Sequence, residues 1–155
     1  MFKPVYGPTT IEISGHVTVE LFGPDGKLKQ RTEGHNVITT VGKEFLASYL
    51  SSGAAAAATF TAKYVAIGTD STAEAVANTT LGVESSRHTG TVSYVSGCVY
   101  RVVATFATGS GTGAIVEYGL LSSSTGGTLL GRHTSAVVNK GASDTLTVTY
   151  DVTFS

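Results

Sequence analysis

The stretch Asp144–Phe154, DTLTVTYDVTF, constrains the fold of this chain more than any other. Leu146, Val148, Tyr150, Val152 and Phe154 occupy every second position, with Thr145, Thr147, Thr149, Asp151 and Thr153 between them. Side chains of a strand alternate between two faces, so this segment has one apolar face and one hydroxyl-rich face. A helix would scatter both sets around its axis. A half-buried strand is the regular structure that uses the pattern.

The same alternation recurs upstream. In His16–Phe22, Val17, Val19 and Leu21 oppose Thr18, Glu20 and Phe22. The turn Gly23-Pro24-Asp25-Gly26 follows, because Pro pre-sets one backbone angle and Gly supplies a positive one. Lys27–Glu33 then returns as a charged strand, which suits a sheet edge protected from pairing with other chains. Further strands are read at Lys63–Gly68, Val83–Arg87, Thr91–Val95, Val99–Thr108 and Ala114–Leu121, and Thr128–Ser135 with Ala136–Asn139 is read as a strand pair or one bent strand. Ser96-Gly97, Gly109–Gly113, Ser122–Gly127 and Lys140–Ser143 divide them. In Val99–Thr108, Tyr100, Val102, Ala104 and Phe106 are assigned to the core.

One helix is expected. Val41, Phe45, Leu46, Tyr49 and Leu50 form a single apolar face, Thr40 is read as its N-cap, and Ser51-Ser52-Gly53 ends it. Ala54–Ala58 is read as a loop, with a helical extension as the alternative. Thr72–Gly82 carries small residues and is read as a long surface loop. About eight to ten strands at spacings of roughly 8–12 residues predict an all-β fold. The expected architecture is an antiparallel, jelly-roll-like β-sandwich over residues 15–155, with a closed barrel left open as the alternative.

At 155 residues the chain has room for one domain with a real core. It is 41% hydrophobic, only 14% charged and carries a net charge of -1. Disorder needs fewer apolar residues and more charge, and nucleic-acid binding needs a basic excess. The lone Cys98 allows no internal disulfide, and no Cys/His spacing points to zinc. Synthesis in a bacterial-type cytoplasm is therefore expected. Met1–Pro8 does not read as a signal peptide, and no apolar run approaches the ~20 residues of a membrane span, so no membrane partner is expected.

Candidate chemistry does not assemble. His16, His35, His88 and His133 are scattered near predicted strand ends and are read as surface or turn histidines. Gly109-x-Gly111-x-Gly113 is followed by a strand, whereas a phosphate-cradling loop needs a helix there. Asp70–Glu74 lacks the ligand spacing of a calcium loop. Asn78-Thr79-Thr80 fits a glycosylation acceptor, without an export signal to make it meaningful. Cys98, with no histidine nearby in sequence, is read as an inert strand-start residue. No catalytic, cofactor-binding or metal-binding residue is expected, and the chain is read as a non-enzyme that acts through its surfaces.

Met1–Ser14 is read as an extended arm. Pro4 and Pro8 bias Lys3 and Gly7 away from helix. Apolar residues on such an arm, Phe2, Val5, Tyr6 and Ile11, have little reason to stay in water, so contact with a neighbouring subunit is expected; a frayed terminus is the alternative.

Three segments resemble small virion structural proteins of tailed bacteriophages. Gly15–Leu50 is similar to their opening hairpin with a PDG-type turn, followed by "xNxITxxG" and a short helix; Asn36, Ile38, Thr39 and Gly42 match. Lys63–Glu84 looks like their "Y-[IV]-A-[IVL]-G-T" strand with "T-x-L-x-x-E". Ala114–Phe154 resembles their closing half, with Glu117, Gly119, Leu120, Arg132, Lys140, Asp144, Leu146 and Tyr150 in the matching places. The resemblance implies a head decoration (cement) protein on the capsid exterior, made in the host cytoplasm. It would be bound to the major capsid protein and to copies of itself, expected as a homotrimer, with no cofactor and no nucleic acid. The arm residues would then make capsid or subunit contacts. The alternatives are a tail- or fibre-associated protein, or a carbohydrate-binding module in which Tyr64, Tyr94 and Tyr100 stack on sugar.

Overall fold

The computed structural model describes residues 10–51, 62–95 and 97–155. Phe2, Val5 and Tyr6 of the arm, the Ala54–Ala58 run and Ser96 of the expected turn lie outside the described residues. The elements are β1 (Ile13–Phe22), β2 (Leu28–Ile38), α1 (Thr40–Ser51), β3 (Tyr64–Gly68), β4 (Glu84–Thr89), β5 (Thr91–Val95), β6 (Val99–Phe106), β7 (Gly113–Leu121), β8 (Leu129–Lys140) and β9 (Thr145–Phe154). The nine strands form one sheet in the order β4-β3-β7-β8-β2-β1-β9-β6-β5. Every pairing is antiparallel. The fold is all-β with one helix among the described residues.

The sheet curls until it nearly closes, and two strands turn its corners by changing partners. β2 pairs with β1 from Leu28 to Asn36, then with β8 at Val37 and Ile38. β4 and β5 are separated by a single residue, Gly90. The β4 ladder runs on β3, and the β5 ladder runs on β6. At the switch, the Gly90 N–H donates to the Lys63 carbonyl at 2.7 Å. A Cβ there would lie 2.4 Å from Val102 Cγ1, so the corner needs glycine.

The closing strand behaves as its alternation predicts. Leu146, Val148, Tyr150 and Val152 are buried, and the threonines between them are not. They meet Val17, Val19 and Leu21 of β1 and Val102, Ala104 and Phe106 of β6, which are also buried. Val65, Ile67, Ile115, Tyr118, Leu120, Leu130 and Val138 complete the core from β3, β7 and β8. A second, smaller cluster lies elsewhere. It joins Ala66, Leu121 and Leu129 to Leu81, with Tyr64 packed against them. β7 is thus buried on both faces, which is why its sequence reads as a continuous apolar run.

Several local expectations change. Ile13 and Ser14 belong to β1 rather than to an arm, and β2 extends to Ile38 instead of yielding at Gly34. Residues 129–140 form one strand, which settles that segment as a single element. The helix cap is Thr39, not Thr40. The Gly42 N–H donates to Thr39 Oγ1 at 2.9 Å, and the Lys43 N–H donates to the Thr39 carbonyl at 3.0 Å. The apolar face of α1 docks only in part: Phe45 and Leu46 pack on the core, while Leu50 is 81% exposed. Cys98 stands in the β5–β6 turn with φ 64° and is exposed, so it is not a strand-start residue.

Candidate interaction surfaces

The loop between β3 and β4 lacks strand or helix, yet it is fastened to the barrel from below. Glu117 on β7 and Arg132 on β8 are fully buried beneath it, with side-chain exposures of 0% and 1%. Arg132 Nε and Nη2 donate to Glu117 Oε2 at 3.1 and 2.9 Å. The same carboxylate accepts loop N–H groups: Asp70 at 3.2 Å, Gly82 at 2.9 Å and Val83 at 2.7 Å. Arg132 also reaches Asp70 Oδ2 at 3.2 Å, Asn78 Oδ1 at 3.3 Å and the Ala73 carbonyl at 3.4 Å. Gly68 makes room, because a Cβ there would lie 2.4 Å from Glu117 Oε1.

Asp70 is held below the usual carboxylate range, first by the Thr72 N–H and hydroxyl and then by Arg132. Further along, Glu74 accepts hydrogen bonds from the Thr134 hydroxyl and N–H. Burial pushes the Glu74 carboxyl up, but those donors and His133 outweigh it and the net shift is down. The Thr40 N–H donates to the Val76 carbonyl at 2.8 Å, tying the loop to the start of α1. The Asp70–Glu74 carboxylates therefore serve as fastenings. Among the described residues, no group of three or more His, Cys, Asp or Glu could hold a metal ion.

A second fastening lies at the turn before β9. Lys140 is buried, and its Nζ donates to the carbonyls of Asp144 at 2.8 Å and Ala107 at 3.0 Å. Burial pushes the Lys140 ammonium down, against the pull of Asp144. Asp144 accepts Lys29 Nζ at 2.8 Å and the Gly141 N–H at 2.9 Å, and Lys29 leads the causes that lower its pKa.

Of the four histidines read as surface or turn groups, His35 is exposed, His16 and His88 are half-buried, and His133 alone is buried. His16 and His35 pair edge to face with centroids 5.6 Å apart. His133 is buried, stacks on Tyr118 at 6.2 Å, and donates from Nδ1 to the His35 carbonyl at 3.1 Å. His88 bridges the β4–β6 seam, donating from Nδ1 to the Thr105 carbonyl at 3.1 Å, with Nε2 at 2.8 Å from Ser110 Oγ. Sequence offered no local sign that His133 is interior.

That position carries a prediction. Burial holds His133 below the ordinary histidine range, Glu74 opposes this, and His16 adds to it. The unfolded chain takes up the proton first, at about pH 6.5, so stability is lost as pH falls through that value. The melting temperature is expected to fall between about pH 7.5 and 5.5, and His133→Gln is expected to flatten that slope. An equal slope in the variant would remove His133 from the acid response.

The third feature is a groove of about 530 Å³ between α1 and the ends of β1, β6 and β9. Its walls include Ile13, Leu46, Leu50, Tyr100, Val152 and Phe154, and among the described residues Lys43 is the one charged residue lining it. Ile11, the described member of the expected arm contacts, stands at this groove and is 71% exposed. The three tyrosines read as a sugar platform stand in different surroundings. Tyr64 packs on the smaller apolar cluster, and Tyr100 donates its hydroxyl to the Ala62 carbonyl at 2.6 Å, its pKa pushed up to about 12 by burial. Tyr94 stands opposite Tyr100 on β5 and is 79% exposed. No helix among the described residues is long and apolar enough to cross a membrane. Set against protein-family models, curated proteins and solved structures, the chain matches none.

Proposed function

We propose that this protein is a non-enzymatic virion structural protein of a tailed bacteriophage, of the capsid decoration (cement) type. One observation carries the reading. Polar residues that resemble those of the virion proteins are among those that fasten this body together: Glu117 with Arg132, Lys140 with Asp144, and Thr39 with Gly42. A motif made of fastenings describes a scaffold, and a scaffold of this kind works by what its exterior adheres to. Adhesion to the capsid exterior would draw on buried apolar area, at roughly 25 cal/mol per Å² for each contact repeated over the shell. The major capsid protein and further copies of this chain are the proposed partners, in a closed cyclic trimer. The jelly-roll-like sandwich belongs to the same proposal: the halves on either side of β2 would be its two layers, with Gly90 at the second corner.

The test is mass spectrometry of virions separated into heads and tails. Many copies on heads are expected; a few copies confined to tails would replace this reading with the tail-associated one. Deleting Met1–Pro8 is expected to leave the melting temperature unchanged and to lower head occupancy at least tenfold, measured by co-sedimentation with purified heads. Normal occupancy by the truncated protein would remove the arm from attachment.

A further inference from the structure

We infer that the barrel interior around Gly34 is a binding site for internal water, which bridges Tyr118, Tyr150 and His133. This site owes nothing to the virion reading. Among the described residues, five buried side-chain atoms have no hydrogen-bond partner in the protein: Thr32 Oγ1, Asn36 Oδ1, Tyr118 OH, His133 Nε2 and Tyr150 OH. Buried polar groups are normally satisfied, so five orphans gathered in one region mark a site. The strand register gathers them. Thr32, Gly34 and Asn36 alternate along the inward face of β2, opposite Val19, Val17 and Gly15. The His133 ring lies over Gly34, where a Cβ would come within 2.8 Å of its Cε1 and 3.2 Å of its Nε2. Tyr118 stacks on that ring from β7. Tyr150 stands in the same row on β9, paired with Val17, which is paired with Gly34. Burial first, and Tyr118 second, push the Tyr150 hydroxyl well up, so the two tyrosines lie within each other's field. Ser135 stands beside the Tyr118 hydroxyl, but its own hydroxyl donates to the Ala136 carbonyl at 2.9 Å.

The backbone parts at this place. The β2–β8 ladder is confined to Val37 and Ile38. Beyond it a side chain spans from one strand to the other, with Gln30 Nε2 donating to the Val137 carbonyl at 3.0 Å. On its other side β8 bulges: Glu117 pairs with Thr134 and Ile115 with Val138, so Val116 faces residues 135–137. Charge and protonation then choose the occupant. His133 gives its Nδ1 proton to the His35 carbonyl, so Nε2 is an acceptor. The tyrosines and Thr32 bring hydroxyls, which donate and accept. An anion would meet Glu74 and Glu117, which both lie close enough to act on Tyr150. A cation would find those carboxylates already engaged by Thr134 and Arg132. A neutral molecule that donates to Nε2 and accepts from a hydroxyl fits. With Tyr118 and Tyr150 both 0% exposed, it must also be small. Water meets these conditions, and a buried water makes about three such bonds.

A crystal structure of the full chain, with thermal melting of two variants, tests this. Density for an ordered water within hydrogen-bond distance of His133 Nε2 and of a tyrosine hydroxyl is expected. Hydroxyls that bond directly to each other or to Nε2, with no water among them, overturn the inference. Tyr118→Phe and Tyr150→Phe each remove one hydroxyl at nearly constant volume. A bridged hydroxyl contributes to stability, whereas an orphaned one only costs, so the melting temperature is expected to fall by a few degrees in each variant. A rise in either marks an orphaned hydroxyl and overturns the bridge. Groups that share a partner are not additive, so the double variant is expected to lose less than the sum of the two single losses. Strict additivity would give the two hydroxyls separate partners and overturn the bridge as well.

Discussion

Substituting aspartate for Val148 is expected to leave no folded protein. Val148 is fully buried in β9, between Val19 of β1 and Ala104 of β6. Its surroundings are aliphatic, so a carboxylate placed there finds no counter-ion. Burying an unpaired charge costs several kcal/mol at least. A domain of this size is stable by only ~5–15 kcal/mol in all, so one such change consumes much of the margin. The neighbouring position is the control. Thr149 pairs with Thr18 and Val103 and lies on the half-exposed face, so Thr149→Asp is expected to cost under about 1 kcal/mol. Far-UV circular dichroism and thermal melting separate the two outcomes. A Val148→Asp protein that melts with the wild type would mean that the strand's two faces have been assigned the wrong way round.

That contrast between adjacent residues is where the chain was easiest to read. Alternation in β1, β6 and β9 is a local signal, and burial follows it residue by residue. It fails where both faces of a strand are covered. In β7 the apolar run hides which side chains face the main core and which face the loop, and Glu117 looks like an interruption rather than a centre. Its partners lie 15 residues away at Arg132 and 47 away at Asp70, beyond any local periodicity. For Arg132 the matched position in the virion-protein resemblance was the only sequence signal, and for Asp70 there was none. The charged strand Lys27–Glu33 was read as an edge, and it is one only in part: β2 lies inside the sheet order, but its ladder with β8 is confined to Val37 and Ile38. Thr39 and Thr40 are equal candidates for a cap by type. The fold chooses Thr39, whose hydroxyl also reaches the carbonyls of β8 at Leu129 and Leu130.

Removing Glu117 is expected to have the second large effect, and its pattern would distinguish a clasp from a simple ion pair. Breaking a buried pair by deleting one partner typically costs about 3–5 kcal/mol, because the other charge is left uncompensated. Glu117→Ala would leave Arg132 buried with the part-exposed Asp70 as its remaining counter-charge, so a cost toward the lower end of that range is expected. For an ordinary buried pair, replacing both partners with apolar residues of similar volume restores stability or improves it. Here it should not. Glu117→Leu with Arg132→Met balances the charge, but it leaves the N–H groups of Asp70, Gly82 and Val83 without their carboxylate acceptor. These donors are part-buried, so each loss is expected to cost less than the ~1–3 kcal/mol of a fully buried unsatisfied donor, and the three act together. Glu117→Gln keeps an oxygen for some of these donors while turning an NH2 toward the rest, so it should fall between. The expected order of stability is wild type, then Glu117→Gln, then the double variant and Glu117→Ala. Amide hydrogen exchange is expected to quicken at Asp70, Gly82 and Val83 in the double variant while the β1–β9 ladder stays protected. A double variant as stable as the wild type, with those three amides still slow, would show that the loop is held by something other than Glu117.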